Sequence, residues 1–251
     1  MTGHLAIVGL GPGDPQHMTA RARAVLEDAT DIVGYAPYLA RAPARPHQQR
    51  FASDNREELD RARQAAALAA LGRRVAVVSS GDAGVFGMAS AVFEVLETGV
   101  PAWRALDVEV VPGVSAMLAA AARIGAPLGQ DFCAISLSDN LKPWQVVTQR
   151  LTAAATVGFA IVLYNPRSRS RPWQLGAAFD LLRCILSPTT PIAIATAVTR
   201  PEERIEITTL EAADPALADM RTLVIVGSAA ARRIDSGDRV WLYAPRGGSR
   251  S

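Results

Sequence analysis

Three short stretches of the chain combine glycine with small polar or acidic residues, as a loop must if it is to hold a ligand against its backbone. Gly9-Leu10-Gly11-Pro12-Gly13-Asp14 follows an apolar run and precedes a helix whose predicted N-cap is Thr19. Ser79-Ser80-Gly81-Asp82-Ala83-Gly84-Val85-Phe86-Gly87-Met88 also follows an apolar run and places three glycines in seven positions. Pro112-Gly113-Val114-Ser115-Ala116 ends a third run, and there Ser115 can either cap the next helix or hydrogen-bond a ligand. Glycine lets the backbone approach a bound molecule closely and adopt positive φ. Taken singly, each stretch also reads as a tight turn. The first lacks the third glycine of a dinucleotide fingerprint and the Gly-Lys-Ser/Thr of a phosphate loop, so neither nucleotide reading follows. Two glycine loops, each at a strand end and each with an aspartate, point to one shared ligand site, because open α/β sheets bind ligands at the carboxyl ends of their strands.

The elements that carry these loops alternate in type. Apolar runs at 5–10, 31–35, 75–79 and 108–111 are separated by amphipathic segments at 20–29, 57–71 and 88–96, a βαβ rhythm. The runs are rich in valine and isoleucine without polar alternation, which predicts parallel strands covered by helices on both faces. An alanine-rich helix follows Gly113, and 125–130 reads as a turn-rich connection near a domain boundary. Beyond it, strands are predicted at 133–137, 160–164, 192–198, 205–210, 223–227 and 240–243, and helices at 144–154 and 173–186. The five residues Thr199-Arg200-Pro201-Glu202-Glu203 suit a hairpin, hence a mixed sheet. Leu137-Ser138-Asp139-Asn140-Leu141-Lys142 and Tyr164-Asn165-Pro166-Arg167 lie where strands run into polar loops, a pattern that ordinary surface loops share. The tail 246–251 is expected to fray. No internal repeat is present.

The whole chain sets further bounds. Its 251 residues suffice for two compact domains or one large α/β unit, and 49% apolar with 20% charged residues is ordinary globular composition. A net charge of +2, with basic residues spread along the chain, argues against nucleic acid as partner. All the basic residues but Lys142 are arginines, a balance that coding bias explains more readily than carboxylate recognition. Cys133 and Cys184 sit in apolar contexts and are expected as small buried side chains. His4, His17 and His47 show no ligand spacing, so no metal site is expected. Met1-Thr2-Gly3-His4 lacks the basic and apolar regions of a signal peptide, and no run approaches the roughly 20 apolar residues of a membrane span, so a cytoplasmic protein is expected.

Together, Val8-Gly9-Leu10-Gly11-Pro12-Gly13-Asp14, Gly81-Asp82-Ala83-Gly84-Val85-Phe86-Gly87 and Pro112-Gly113-Val114-Ser115-Ala116 resemble, in order and spacing, the signatures of the tetrapyrrole methylase family, the corrin-ring and sirohaem methyltransferases. The likeness extends through Leu163-Tyr164-Asn165-Pro166 and Thr196-Ala197-Val198-Thr199-Arg200-Pro201-Glu202-Glu203. Gly34-Tyr35-Ala36-Pro37-Tyr38 and the 79–88 loop are most similar to the branch that methylates C17 of precorrin-3B, although position 83 is alanine where the usual family loop has proline.

The resemblance implies an α/β protein of the class III methyltransferase type: a domain over 1–112 with a mostly parallel sheet, a domain over 113–251 with a mixed sheet, a cleft between them, and a homodimer. It implies S-adenosylmethionine as methyl donor, leaving as S-adenosylhomocysteine. By motif, Pro12, Ser80, Gly81, Asp82, Val85, Ser115 and Ala116 would hold that cofactor, with Tyr164, Asn165, Ala197 and the strand end Val226-Gly227-Ser228 completing the pocket. The implied reaction also contracts the macrocycle of precorrin-3B, or of the cobalt-containing cobalt-factor III, a rearrangement that an acid and a base could aid, and Asp139 and Lys142 are the two candidates for that proton transfer. Arg167, Arg169 and Arg171 are candidates for the substrate's carboxylates. A sister activity at another ring carbon stays open, as does a non-catalytic nucleotide-binding module.

Overall fold

The computed structural model describes residues 3–54 and 57–247. Two compact units divide between Ala116 and Met117. The first contains β1 (His4–Gly9), α1 (Ala20–Asp28), β2 (Asp31–Tyr35), α2 (Ala36–Leu39), β3 (Gln49–Ser53), α3 (Glu58–Ala70), β4 (Arg74–Ser79), α4 (Met88–Thr98) and β5 (Asp107–Val111). All five strands run parallel in the order β3-β2-β4-β1-β5. Successive side chains of a strand face opposite ways, and the sheet uses both faces. Leu5, Ile7, Val33, Val75 and Val77 pack with α3 and α4, whereas Ala6, Val8, Ile32, Ala76 and Val78 pack with α1. This is why β1, β2 and β4 carry no polar alternation, whereas the edge strand β5 places Glu109 between Val108 and Val110. The predicted cap is present: Thr19 Oγ1 accepts the Ala22 N–H at 3.1 Å, a bond worth about 1 kcal/mol.

The second unit begins with α5 (Ala116–Ile124), then β6 (Gly125–Ala126), β7 (Phe132–Ser136), α6 (Trp144–Thr156), β8 (Ala160–Tyr164), α7 (Gln174–Arg183), β9 (Pro191–Thr196), β10 (Arg204–Thr209), β11 (Thr222–Val226), β12 (Arg232–Ser236) and β13 (Arg239–Tyr243). Its main sheet has the order β10-β9-β11-β8-β7. Strands β9 and β10 form the expected antiparallel hairpin, β11 runs antiparallel to both β9 and β8, and β7 is parallel to β8, so the sheet is mixed. Ile161, Leu163, Ile192, Ile194, Val224 and Val226 pack with Leu151 of α6 and Phe179 of α7. A small sheet, β12-β13-β6, completes the unit.

Three features depart from the sequence reading. Strands β3 and β12 and the single turn α2 were not predicted: β3 and β12 are polar and sit at sheet edges, where little apolar surface is needed. Cys184 is exposed rather than buried, and its thiol donates to the Asp180 carbonyl. Cys133 is only half-buried, and burial pushes its thiol above the ordinary range. Residues 248–251 of the tail expected to fray lie outside the described residues. Among the described residues no helix is long and apolar enough to cross a membrane.

Candidate functional site

In the first unit β4, β1 and β5 are neighbours, so the three glycine loops at their carboxyl ends emerge side by side. They are also bonded together. Gly11 and Gly81 exchange two backbone hydrogen bonds, Gly11 N–H to Gly81 O at 3.1 Å and Gly81 N–H to Gly11 O at 2.9 Å. The Asp82 carboxylate accepts the Gly84 N–H at 2.8 Å inside its own loop and the Gly113 N–H at 2.9 Å from the third loop. Glycine is needed where the loops meet: a Cβ on Gly113 would lie 2.2 Å from Gly81 O, and one on Gly9 would lie 2.7 Å from Gly113 N. Gly81 itself has room, its nearest neighbour standing 3.6 Å from such a Cβ, and is required instead by its left-handed backbone at φ 65°. Ser115 is buried beside Gly81, and Ser80 and Val85 are half-buried in the second loop. Pro12 is exposed only in small part.

Arg41 is a member of this cluster that sequence reasoning missed. It lies between α2 and β3, and its guanidinium donates to the Gly11 carbonyl at 2.7 Å and to Ser80 Oγ at 2.9 Å. It follows the Gly34-Tyr35-Ala36-Pro37-Tyr38 segment by three residues but is not part of it, and only the folded chain brings it to the loops.

In the second unit β7, β8 and β9 run in one direction, so the loops after them share one edge of the sheet. Asn165 Nδ2 donates to Ser136 Oγ at 2.9 Å, tying the loop after β8 to the end of β7. Tyr164 Oη accepts the Met117 N–H at the start of α5, at 3.1 Å. Asp139 is held by Gln174, whose Nε2 donates to both carboxylate oxygens at 3.1 Å; Gln174 is itself 1% exposed. Lys142 lies nearby in sequence, half-buried, and burial followed by the repulsion of Arg150 holds its ammonium below the ordinary lysine range.

Backbone strain marks the same loops. Among the described residues four that are not glycine have left-handed backbone: Phe86, Asn165, Ala197 and Thr199, at φ 51°, 51°, 52° and 67°. All four follow β4, β8 or β9. A β-branched residue such as Thr199 pays a steric cost there, and strain of this kind collects at functional sites. Glu203 supports the strained turn after β9, its carboxylate accepting the Thr199 N–H and pairing with Arg123 at 3.1 Å.

The structure does not bring together every residue singled out from sequence. Val226, Gly227 and Ser228 end β11, which runs opposite to β9, and Val226 is paired with Ile192 rather than with Thr196. They therefore stand at the far edge of the sheet from Asn165 and Ala197, about 16 Å along the strand at about 3.3 Å per residue. This corrects their grouping with Tyr164, Asn165 and Ala197. The three arginines also part company. Arg171 is buried and donates to the Asn165 carbonyl at 3.0 Å, Arg167 donates to the Ala216 carbonyl at 3.2 Å, and Arg169 is exposed. Arg171 shapes the loop after β8 instead of presenting its guanidinium to solvent. A cavity of about 270 Å³ lined by His4, Arg21, Asp28 and Arg74 lies at the amino ends of β1 and β4, away from the loops. Its charges are paired with one another or with Glu109 and Asp107, so it is not the candidate site.

The family described as Tetrapyrrole (Corrin/Porphyrin) Methylases matches residues 4–214. The chain is 53% identical over 247 residues to the precorrin-3B C(17)-methyltransferase of Sinorhizobium sp, spanning 98% of this chain and 97% of that protein. It is 42% identical over 227 residues to a probable cobalt-factor III C(17)-methyltransferase of Salmonella typhimurium, spanning 89% of this chain and 92% of that protein. The crystal structure of the methyltransferase CobJ is similar with a TM-score of 0.93 and 51% identity, covering 97% of this chain and 100% of the other. A single family thus accounts for both units and for the three joined loops, and the chain belongs to the tetrapyrrole (corrin/porphyrin) methylases.

Proposed function

We propose that the chain transfers a methyl group from S-adenosylmethionine to C17 of precorrin-3B and contracts the macrocycle to precorrin-4, a step of cobalamin biosynthesis carried out by a cytoplasmic homodimer. The observation that carries the reading is the joining of three glycine loops on adjacent parallel strands, in a chain 53% identical to a relative with that name. The first unit offers what an adenosyl amino acid requires, namely bare backbone at Gly81 and Gly84, the Ser80 hydroxyl and the Asp82 carboxylate. It has no lysine in these loops for a phosphate. We assign Pro12, Ser80, Gly81, Asp82, Val85, Ser115 and Ala116 to the cofactor in the first unit, and Tyr164, Asn165 and Ala197 in the second.

When bound, the donor supplies a methyl already activated on a sulfonium, so the work of the protein in this step is alignment of the attacking carbon. The loops provide it by being rigid: each is bonded to its neighbour rather than to itself alone. Ring contraction needs proton transfer in addition. Asp139, oriented by Gln174, is suited to accept a proton, and Lys142, whose ammonium is weakened by burial, is suited to deliver one.

The test is mass analysis of the products formed with labelled cofactor from precorrin-3B and from cobalt-factor III. A product of precorrin-3B carrying one labelled methyl on a contracted ring is expected. Turnover of cobalt-factor III alone would move the assignment to the activity named for the Salmonella relative, and S-adenosylhomocysteine binding without turnover of either would refute catalysis. With Asp139→Asn, methyl transfer is expected to persist while contraction slows by about 10² to 10⁴, so that a methylated, uncontracted ring accumulates.

A further inference from the structure

Arg41 joins two of the cofactor loops through one planar group. Nη2 donates to the carbonyl of Gly11 in the first loop, and Nη1 donates to the hydroxyl oxygen of Ser80 in the second. The same Gly11 carbonyl receives the N–H of Gly81, the residue after Ser80. A closed ring results, running from the guanidinium to Gly11, across to Gly81, back one residue to Ser80 and so to the guanidinium again. Two nitrogens in a fixed fork can hold two acceptors at a set separation, which an ammonium on a flexible stem cannot.

The geometry also decides what Ser80 can do. A hydroxyl has one proton and two lone pairs. With a lone pair accepting from Arg41, the proton of Ser80 is directed away from the guanidinium and is available to an oxygen acceptor on a ligand, such as a carboxylate or a sugar hydroxyl.

We propose that Arg41 is a positioning residue for the methyl donor, one that fixes the spacing of the first two loops and sets the Ser80 hydroxyl as a hydrogen-bond donor toward the bound ligand. The inference rests on the assignment of these loops to S-adenosylmethionine. Arg41 contacts loop atoms and acts through Ser80.

The experiment compares wild type, Arg41→Met, Arg41→Lys, Ser80→Ala and the double variant Arg41→Met/Ser80→Ala. It reads the dissociation constant of S-adenosylhomocysteine by calorimetry, KM for the donor, kcat and the urea midpoint. Arg41→Met is expected to weaken S-adenosylhomocysteine binding by about tenfold or more, with KM rising more than kcat falls, and Arg41→Lys is expected to recover part of the loss. Because Arg41 acts through Ser80, the double variant should bind little worse than Arg41→Met alone, a non-additivity that loss of fold stability does not produce. Normal affinity in folded Arg41→Met, or additive losses in the double variant, would overturn the proposal. If Arg41→Met does not fold, Arg41→Lys decides: affinity equal to wild type overturns the proposal, and an intermediate affinity that Ser80→Ala does not worsen further supports it. Wild type that fails to bind S-adenosylhomocysteine overturns the cofactor assignment itself, and the inference with it, a result distinct from any change among the variants.

Discussion

Asp82→Ala removes the carboxylate that ties the second glycine loop to the third, and the structure sets the size of the effect. The carboxylate accepts two N–H groups, those of Gly84 and Gly113. Gly84 is exposed, so water replaces its partner at little cost. Gly113 is half-buried, so water reaches its N–H less readily than that of Gly84. A buried donor left without a partner costs about 1–3 kcal/mol, so the expected loss is about 2 kcal/mol. In a chain of this length that lowers the thermal midpoint by about 4–8 °C. Asp82→Asn keeps one acceptor oxygen but turns an amide N–H₂ toward the second donor, and should fall between wild type and alanine. The assay is urea unfolding at constant slope, repeated with S-adenosylhomocysteine. At ligand one hundred times the wild-type dissociation constant, binding adds about 2.7 kcal/mol; a tenfold weaker variant at the same concentration gains about 1.4 kcal/mol. Asp82→Ala within about 0.5 kcal/mol of wild type would refute the tie between loops. A ligand shift equal to that of wild type would refute the placing of the cofactor on them.

Two further predictions concern titrating groups in the second unit. Burial pushes the Asp219 carboxyl up, but hydrogen bonds from the Arg221 backbone and guanidinium and from the Thr222 hydroxyl outweigh it and hold the group below the ordinary aspartate value. A carboxyl depressed in the folded state adds stability above its unfolded pKa of about 3.9 that is lost as pH falls through the folded value. The stability gap between wild type and Asp219→Asn should therefore narrow below about pH 4, and parallel acid-unfolding curves would count against it. Lys142 is the only lysine in the sequence, and its lowered pKa leaves more neutral amine at a given pH. Acylation of this residue, followed by peptide mass analysis, should show a midpoint below the ordinary lysine value of about 10.4; a midpoint at or above that value would refute the effect of burial.

Elements that bury a continuous apolar run were legible in the sequence, because the run is what a doubly covered strand requires: β2 and β8 have the predicted bounds, β1 is shifted by one residue, and β4 begins one residue earlier. Elements stabilised by pairing alone were not. Gln49-Arg50-Phe51-Ala52-Ser53 and the exposed Arg232-Arg233-Ile234-Asp235-Ser236 become strands because an edge is available to them, and nothing in their own composition demands it. The glycine loops were legible for the same reason as the buried strands, since bare backbone is a local requirement written in the residues themselves. Their connections were not. Asp82 to Gly113 spans thirty-one positions and Arg41 to Gly11 thirty, and neither pairing leaves a trace in spacing.

The misplacing of Val226-Gly227-Ser228 shows why the first unit was easier to read than the second. In an all-parallel sheet every carboxyl end lies on one edge, so each strand-end loop belongs to a single neighbourhood, and reading ends is enough. In a mixed sheet only strands of one direction share an edge, and Thr222-Leu223-Val224-Ile225-Val226 has the same apolar character whichever way it runs. Direction is settled by pairing: Thr196 Oγ1 and Thr222 Oγ1 lie 2.8 Å apart in a buried contact, so the start of β11, not its end, stands beside the turn at Ala197. The Asp219 and Thr222 bonds that close the approach to β11 therefore lie at the edge that carries Asn165, Ala197 and Thr199, where sequence reasoning had assigned no role to either residue.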